Sequence, residues 1–182
     1  MQKFLTACNP IQPLQLDTTI TTRYNHYNYL QLTMIKDTIR QLNEAIDNLV
    51  FSDPQSINWA QKPSPEKWSA KEILGHLIDS AQINLQRFVR CTYEENFKLT
   101  YEQDEWVKGA RYQFAETRDL VGLWESLNVQ IARVLENYPA DRLQAKCDNS
   151  KTTVSLHTVE WLAQDYVYHM NHHLNQIYKA QR

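Results

Sequence analysis

Histidine is the residue type whose placement in this chain could do chemistry. Three of the six histidines crowd into His169-Met170-Asn171-His172-His173, and His76 stands far upstream. On a helix, His169 and His173 are four residues apart, so their side chains share one face about one turn, roughly 6 Å, apart along the axis. At that separation two imidazoles can converge on one ion with bonds of about 2.0 to 2.1 Å. His76, between Ile73 and Leu77 at the edge of an apolar stripe, can turn toward them as a third ligand. Three neutral imidazoles leave coordination positions open for water or substrate, which separates a working site from a closed structural one. The expected metal ligands are therefore His76, His169 and His173. The expected ion is a divalent transition metal, zinc or nickel first, since imidazole suits both as well as copper and iron. Because imidazole must be neutral to bind, affinity is expected to weaken as pH falls through about 6.5.

A bland reading stands beside this one: two histidines at four-residue spacing also arise as a half-buried polar pair at a helix edge. His172 offers a rival spacing with His169, but its angle on the helix aims it toward a flank. Asp79 and Asp165 each lie about one turn from an expected ligand and could accept its free ring N–H, fixing the tautomer. An ordinary solvated aspartate is the alternative for each. His26 and His157 have no partner at ligand spacing and read as surface residues. Cys91 follows His76 by so many residues that on one helix it would stand more than about 20 Å away, too far to join the site. No catalytic acid or base is identifiable. There is no H-E-x-x-H, no G-x-S-x-G and no phosphate-cradling loop, and the chain has only three glycines (Gly75, Gly109, Gly122).

Four amphipathic segments must position these residues. Leu30, Met34, Ile39, Leu42, Ile46 and Leu49 recur at mostly helical spacing and predict a helix over 27–50. Asp53-Pro54, Pro63 and Pro65 make 51–67 a connection. Ser69 and Glu72 have the capping-box spacing, which starts a helix over 69–95 with Ile73, Leu77, Ala81, Leu85 and Phe88 as its buried stripe. A third helix is expected over 117–138 and a last one over 156–179 with Ser155 as its N-cap. Between the second and third runs a long crossover containing Tyr101, Trp106, Tyr112 and Phe114, with a short helix near Gln103 to Lys108. Trp68 and Trp106 fall in connections and could line a pocket. The turn-rich Cys147-Asp148-Asn149-Ser150 points to a two-stranded ribbon within 140–153. The fold class is thus all-α, a four-helix bundle with a long crossover between helices two and three. It forms one domain over 1–182, with 1–23 as an N-terminal arm.

Nineteen Lys and Arg against twenty-one Asp and Glu leave a net charge of -2. That is no basic excess for a phosphate backbone, so neither nucleic acid nor an acidic membrane surface is an expected partner. No signal-peptide pattern or membrane span is visible. The three cysteines, Cys8, Cys91 and Cys147, are odd in number and far apart, which suits reduced thiols in a cytoplasmic protein.

Lys67-Trp68-Ser69-Ala70-Lys71-Glu72-Ile73-Leu74-Gly75-His76-Leu77-Ile78-Asp79-Ser80 and His169-Met170-Asn171-His172-His173-Leu174-Asn175-Gln176-Ile177 resemble the DinB-like superfamily, its YfiT-like branch most closely. Arg87-Phe88 and the run Tyr101 to Trp106 match that branch as well, and the resemblance runs from about residue 60 to 180. It implies a four-helix bundle, often a homodimer, with a metal on one histidine of helix two and two of helix four; carried over, these are His76, His169 and His173. It also implies a metal-dependent hydrolase, or a thiol S-transferase in which the ion activates a low-molecular-weight thiol acting on a small-molecule substrate. The chain departs from the branch at Ala81, where a histidine often stands, and at Gly75, where a doublet with the ligand histidine is common. Thiol activation is the preferred expectation, water activation the second. A non-catalytic metal-binding or interaction protein on the same scaffold is the alternative to either.

Overall fold

The apolar stripes become helices in a computed structural model that describes residues 18–52 and 56–180, with side chains from residue 33 onward. In chain order the elements are α1 (Thr18–Val50), α2 (Ala70–Cys91), β1 (Phe97–Lys98), α3 (Gln103–Ala110), α4 (Thr117–Glu136), β2 (Lys146–Asp148), β3 (Leu156–Thr158) and α5 (Val159–Lys179). The four long helices form the expected bundle. Helix α1 starts earlier than its stripe, so residues 18–23 of the expected arm belong to it; residues 1–17, including Cys8, lie outside the described residues, as do the side chains of His26 and Leu30. Met34 is exposed and its neighbour Ile35 takes the inward position, because Ile35, Ile39, Leu42, Ile46 and Leu49 hold helical period toward the core.

Helices α2 and α4 pack side by side, as do α1 and α4, α2 and α5, and α1 and α5. Helices α1 and α2, consecutive among the long ones, therefore stand diagonally, and so do α4 and α5. The axis is filled by Leu42, Leu74, Leu77, Phe88, Trp124, Ile131, Leu162 and Met170, all fully buried. Each such side chain contributes about 1.5 to 3 kcal/mol of burial. One polar contact spans the diagonal: the buried Tyr166 hydroxyl on α5 donates to Asn128 Oδ1 on α4 at 2.6 Å.

Helix α2 begins where the capping box puts it. Ser69 Oγ accepts the Glu72 N–H at 3.1 Å and the Glu72 carboxylate accepts the Ser69 N–H at 2.9 Å. It ends earlier than its periodicity, at Cys91, because Arg142 donates to the Cys91 and Glu94 carbonyls and Asn96 turns into the left-handed region at φ 58°. The ribbon is larger than expected and lies later in the chain. β2 pairs antiparallel with β3 (Cys147 opposite His157) and parallel with β1 (Phe97 opposite Cys147). Residues 156–158 are consequently strand, and the N-cap of α5 is Thr158, whose hydroxyl accepts from Trp161 N–H at 3.2 Å. Ser155 is not the cap; its hydroxyl meets His157 Nε2 at 2.8 Å and its N–H is held by Asp148. Cys91 and Cys147 are free thiols, both buried. Among the described residues no helix is long and apolar enough to cross a membrane.

The crossover is clasped to α2 at Gly75. The Tyr112 ring lies so close to this glycine that a Cβ there would collide with it, and the Tyr112 hydroxyl donates to Asp79 Oδ1 at 2.5 Å, one turn further on. Gly75→Ala is expected to push Tyr112 off that bond. The cost of such overpacking, about 1 to 3 kcal/mol, should appear as a lower urea midpoint with unchanged helix content.

Candidate metal centre

Helix α2 carries His76 two turns inside its cap, and the ring is only 1% exposed. Helix α5, packed beside it, carries His169 and His173 on one face. The three rings meet: centroids are 5.1 Å apart for His76 and His169, 4.8 Å for His76 and His173, and 4.6 Å for His169 and His173. Each pair is nearly edge-on, at 74° to 78°. One ring nitrogen from each lies within 4.8 Å of the others. The structure thus brings together all three histidines that the sequence singles out as ligands.

His76 Nε2 stands 3.1 Å from His169 Nε2. Two imidazoles bound to one ion at about 2.0 to 2.1 Å, with angles between square and tetrahedral, separate their nitrogens by roughly 2.9 to 3.4 Å. An N–H···N hydrogen bond has a similar length, but it needs two nitrogens, and His173 brings a third to the same point. His173 is also oriented: its Nδ1–H donates to Gln176 Oε1 at 2.9 Å, which leaves the Nε2 lone pair free. The amide of Gln176 then donates to His172 Nε2 at 3.0 Å. His172 is exposed, off the site as its helix angle predicts, and braces the glutamine.

Burial governs the charge of these rings. Desolvation, then repulsion from His169 and His173, pushes the His76 imidazole down to about 3. Desolvation, then His173 and His172, pushes His169 down to about 4. His173 is lowered by burial, with Gln176 acting against it. His76 and His169 therefore stay neutral well below the ordinary value near 6.5, and burial favours the same neutral form, the one a metal requires, at His173. The free rings take up protons below the ordinary imidazole range, because a charged ring in this wall would be desolvated beside two others.

Asp79 does not take the place of ring acceptor, and Asp165 follows its alternative reading as a solvated helix aspartate. Asp79 accepts from Tyr112 instead of a ring N–H, and burial pushes its carboxyl up to about 6 against that bond. Asp165 is exposed, and the charges acting on it are His157 and Arg87. At Nδ1 of His76 the nearest partner is Tyr101 Oη, at 3.4 Å. Trp68 packs its ring on His76 with centroids 5.1 Å apart. Sequence reading missed the parts played by Gln176 and Tyr101; the three-residue step from His173 to Gln176 was the available signal for the first. Far from this site, His157 stacks on Trp161 at 3.7 Å, a half-buried ring with no ligand role.

A cleft of about 530 Å³ opens beside His173, lined also by Gln61, Pro63, Lys67, Trp68, Ile73, Asp104 and Gln176 among others. Trp68 lines it as expected. Trp106 does not, since it packs edge-on against Tyr101 at 5.2 Å. A larger cleft of about 650 Å³ lies between the end of α1 and the start of α4 and holds no histidine.

The family model described as the DinB superfamily matches residues 34–177. Among solved structures the chain is similar to YfiT from Bacillus subtilis, described as "a probable metal-dependent hydrolase with an unusual four-helix bundle topology". The TM-score is 0.64 at 16% identity, over 93% of this chain and 91% of that one, a likeness of fold. No curated protein matches it in sequence.

Neutral rings make the metal-free protein acid-sensitive, with a definite sign. Unfolded histidine binds its proton near 6.5 whereas the folded rings bind only near 3 to 4, so between these values the unfolded state holds more protons. Stability is expected to be full above about pH 6.5 and to fall toward pH 4, by up to about 1.4 kcal/mol per pH unit for His76 and for His169. Urea midpoints at pH 7, 6, 5 and 4 measure this. The dependence should be shallower in His169→Gln; equal slopes would show that the rings are not its source.

Proposed function

The chain belongs to the DinB superfamily, and from that membership and its converging imidazoles we propose that it is a metal-dependent enzyme acting on a small molecule. The observation that carries this reading is the convergence of three imidazole rings, one of which, His173, lines an open cleft. His76, His169 and His173 would hold one divalent ion, zinc or nickel by ligand type. When bound there, such an ion supplies Lewis acidity, making a nucleophile of a small thiol or of water at neutral pH.

The chain's own residues do the rest. Gln176 keeps the proton of His173 on Nδ1. Trp68 and Ile73 give the cleft an apolar wall, and Lys67, Glu66 and Asp104 give it a charged rim, which fits a small substrate with both kinds of surface. Among the described residues the thiols are poor nucleophiles: burial, reinforced by Cys147, pushes Cys91 up to about 12, and burial raises Cys147. A thiol reaction would therefore draw its sulfur from a small molecule. Thiol transfer is the reading proposed first. Hydrolysis is the second, favoured by the description of the similar YfiT structure. The proposed assembly is a homodimer, the commonest closed symmetry, to be checked by light scattering.

Elemental analysis of tag-free protein is expected to find one zinc or nickel per chain, lost in His169→Ala and in His173→Ala. A low-molecular-weight thiol should add a sulfur charge-transfer band to the cobalt-substituted protein, and the loaded protein should transfer that thiol to an electrophile faster than the apo form does. Turnover of esters or amides with no thiol would select hydrolysis. A fully loaded protein inactive in both assays would make it a metal-binding protein without catalysis.

A further inference from the structure

Tyr101 belongs to the crossover, yet it is anchored more firmly than a loop residue needs to be. Two residues before it, Leu99 is held on both sides. Its N–H donates to the Asp148 carbonyl at 3.0 Å, extending the pairing of β1 with β2. Its carbonyl accepts two bonds from one guanidinium, Arg87 Nε at 3.1 Å and Nη2 at 2.7 Å. Arg87 is 7% exposed and lies on α2, three turns beyond His76. Its third arm donates to Asn84 Oδ1 at 3.1 Å, and Asn84 donates in turn to the Ser80 carbonyl at 2.9 Å. Burying an arginine is costly unless its donors are met. Here three of them are used, two to fix one backbone carbonyl.

That carbonyl places the Tyr101 ring. It lies nearly parallel to His76, at 20° with centroids 6.5 Å apart, and is closed from the other side by the edge of Trp106. Its hydroxyl oxygen reaches His76 Nδ1 at 3.4 Å. With an ion on Nε2 the ring proton of His76 would sit on Nδ1, and the tyrosine oxygen is the acceptor within its reach.

We propose that Tyr101 is the positioning residue for His76, holding its ring so that Nε2 faces the ion, and that Arg87 is the strut that sets Tyr101 through the Leu99 carbonyl. The inference rests on the metal reading above. His173 has Gln176 for this purpose and His76 has Tyr101, so two of the three rings are oriented from outside the site. Such outer partners are worth about 10- to 100-fold in metal affinity.

The test is zinc affinity of tag-free protein by competition with a chromophoric chelator, together with the visible spectrum of the cobalt form. Tyr101→Phe keeps the ring and is expected to bind zinc about 10- to 100-fold more weakly. Its cobalt bands should shift while the thermal midpoint of the apo protein stays put. Tyr112→Phe removes a hydroxyl from the same crossover that touches Asp79 and no histidine. It should lower the apo midpoint and leave zinc affinity within about threefold, well short of the loss from an outer-partner mutation. Should Tyr101→Phe not fold, Arg87→Lys retains the buried charge without the fork and should weaken zinc binding in the same direction by a smaller factor. Unchanged affinity and cobalt spectrum in Tyr101→Phe, or in Arg87→Lys where that variant stands in, would overturn the proposal. So would a loss in Tyr112→Phe as large as in Tyr101→Phe. A wild-type chain that took up no ion would overturn the metal reading itself, and this inference with it.

Discussion

Three imidazole rings stand within about one ring-width of one another in the wall of an apolar bundle, where burial favours their uncharged form. A proton on any of them would be desolvated by α2 and α5 and would face two neighbours competing for the same state. Everything around the site is compatible with that constraint. Gln176 accepts the hydrogen bond of His173 Nδ1–H without bringing a charge, and the oxygen nearest His76 Nδ1 is the hydroxyl of Tyr101. The aspartate closest in sequence, Asp79, is turned to Tyr112, and burial pushes its carboxyl up to about 6. Neutral rings with neutral partners leave the full charge of a bound ion uncompensated, which is the condition for Lewis acidity.

The bundle's connectivity explains how a site on two helices acquires parts from elsewhere. Because α1 and α2 are diagonal, the segment joining them must cross an end of the bundle, and it does so over α5, where Asn58 N–H donates to the Ala180 carbonyl. That route delivers Trp68 to His76 and Pro63 and Lys67 to the cleft. The link from α4 to α5, likewise diagonal, carries β2 and β3, and β2 is the strand on which β1 and then Leu99 are pinned. Long connections are common where neighbours in sequence are not neighbours in space. In this fold they line the centre instead of merely closing the chain.

Two small features show how closely the crossover is fitted to α2. Gly75, one residue before the buried histidine, leaves room for the Tyr112 ring, and Ser69 adds to its capping role a bond to Gln113 at 2.6 Å. Both lie within the first two turns of α2. The helix start that sets the register of His76 is thus the same stretch that docks the segment carrying Tyr101 and Tyr112.

The four helices, the capping box at Ser69 and the trio His76, His169 and His173 were legible in the residues, because helical period and i, i+4 spacing are local properties that packing preserves. Placing His76 opposite α5 needed only that an apolar stripe face inward. The start of α5 was not legible: Ser155 is as good a cap as Thr158 in isolation, and only the pairing of β3 with β2 moves the helix three residues on. Nor was the choice of ring partners. Asp79 stands one turn from His76 and looks like its acceptor, but the Tyr112 hydroxyl, thirty-three residues away, claims it, and the oxygen nearest His76 Nδ1 is that of Tyr101. The sequence by itself determined which side chains could bind an ion and on which helices. Tertiary structure alone decided that the rings are neutral, which nitrogen each presents and what holds it there. Those depend on burial and on contacts between distant segments, neither of which has a sequence period.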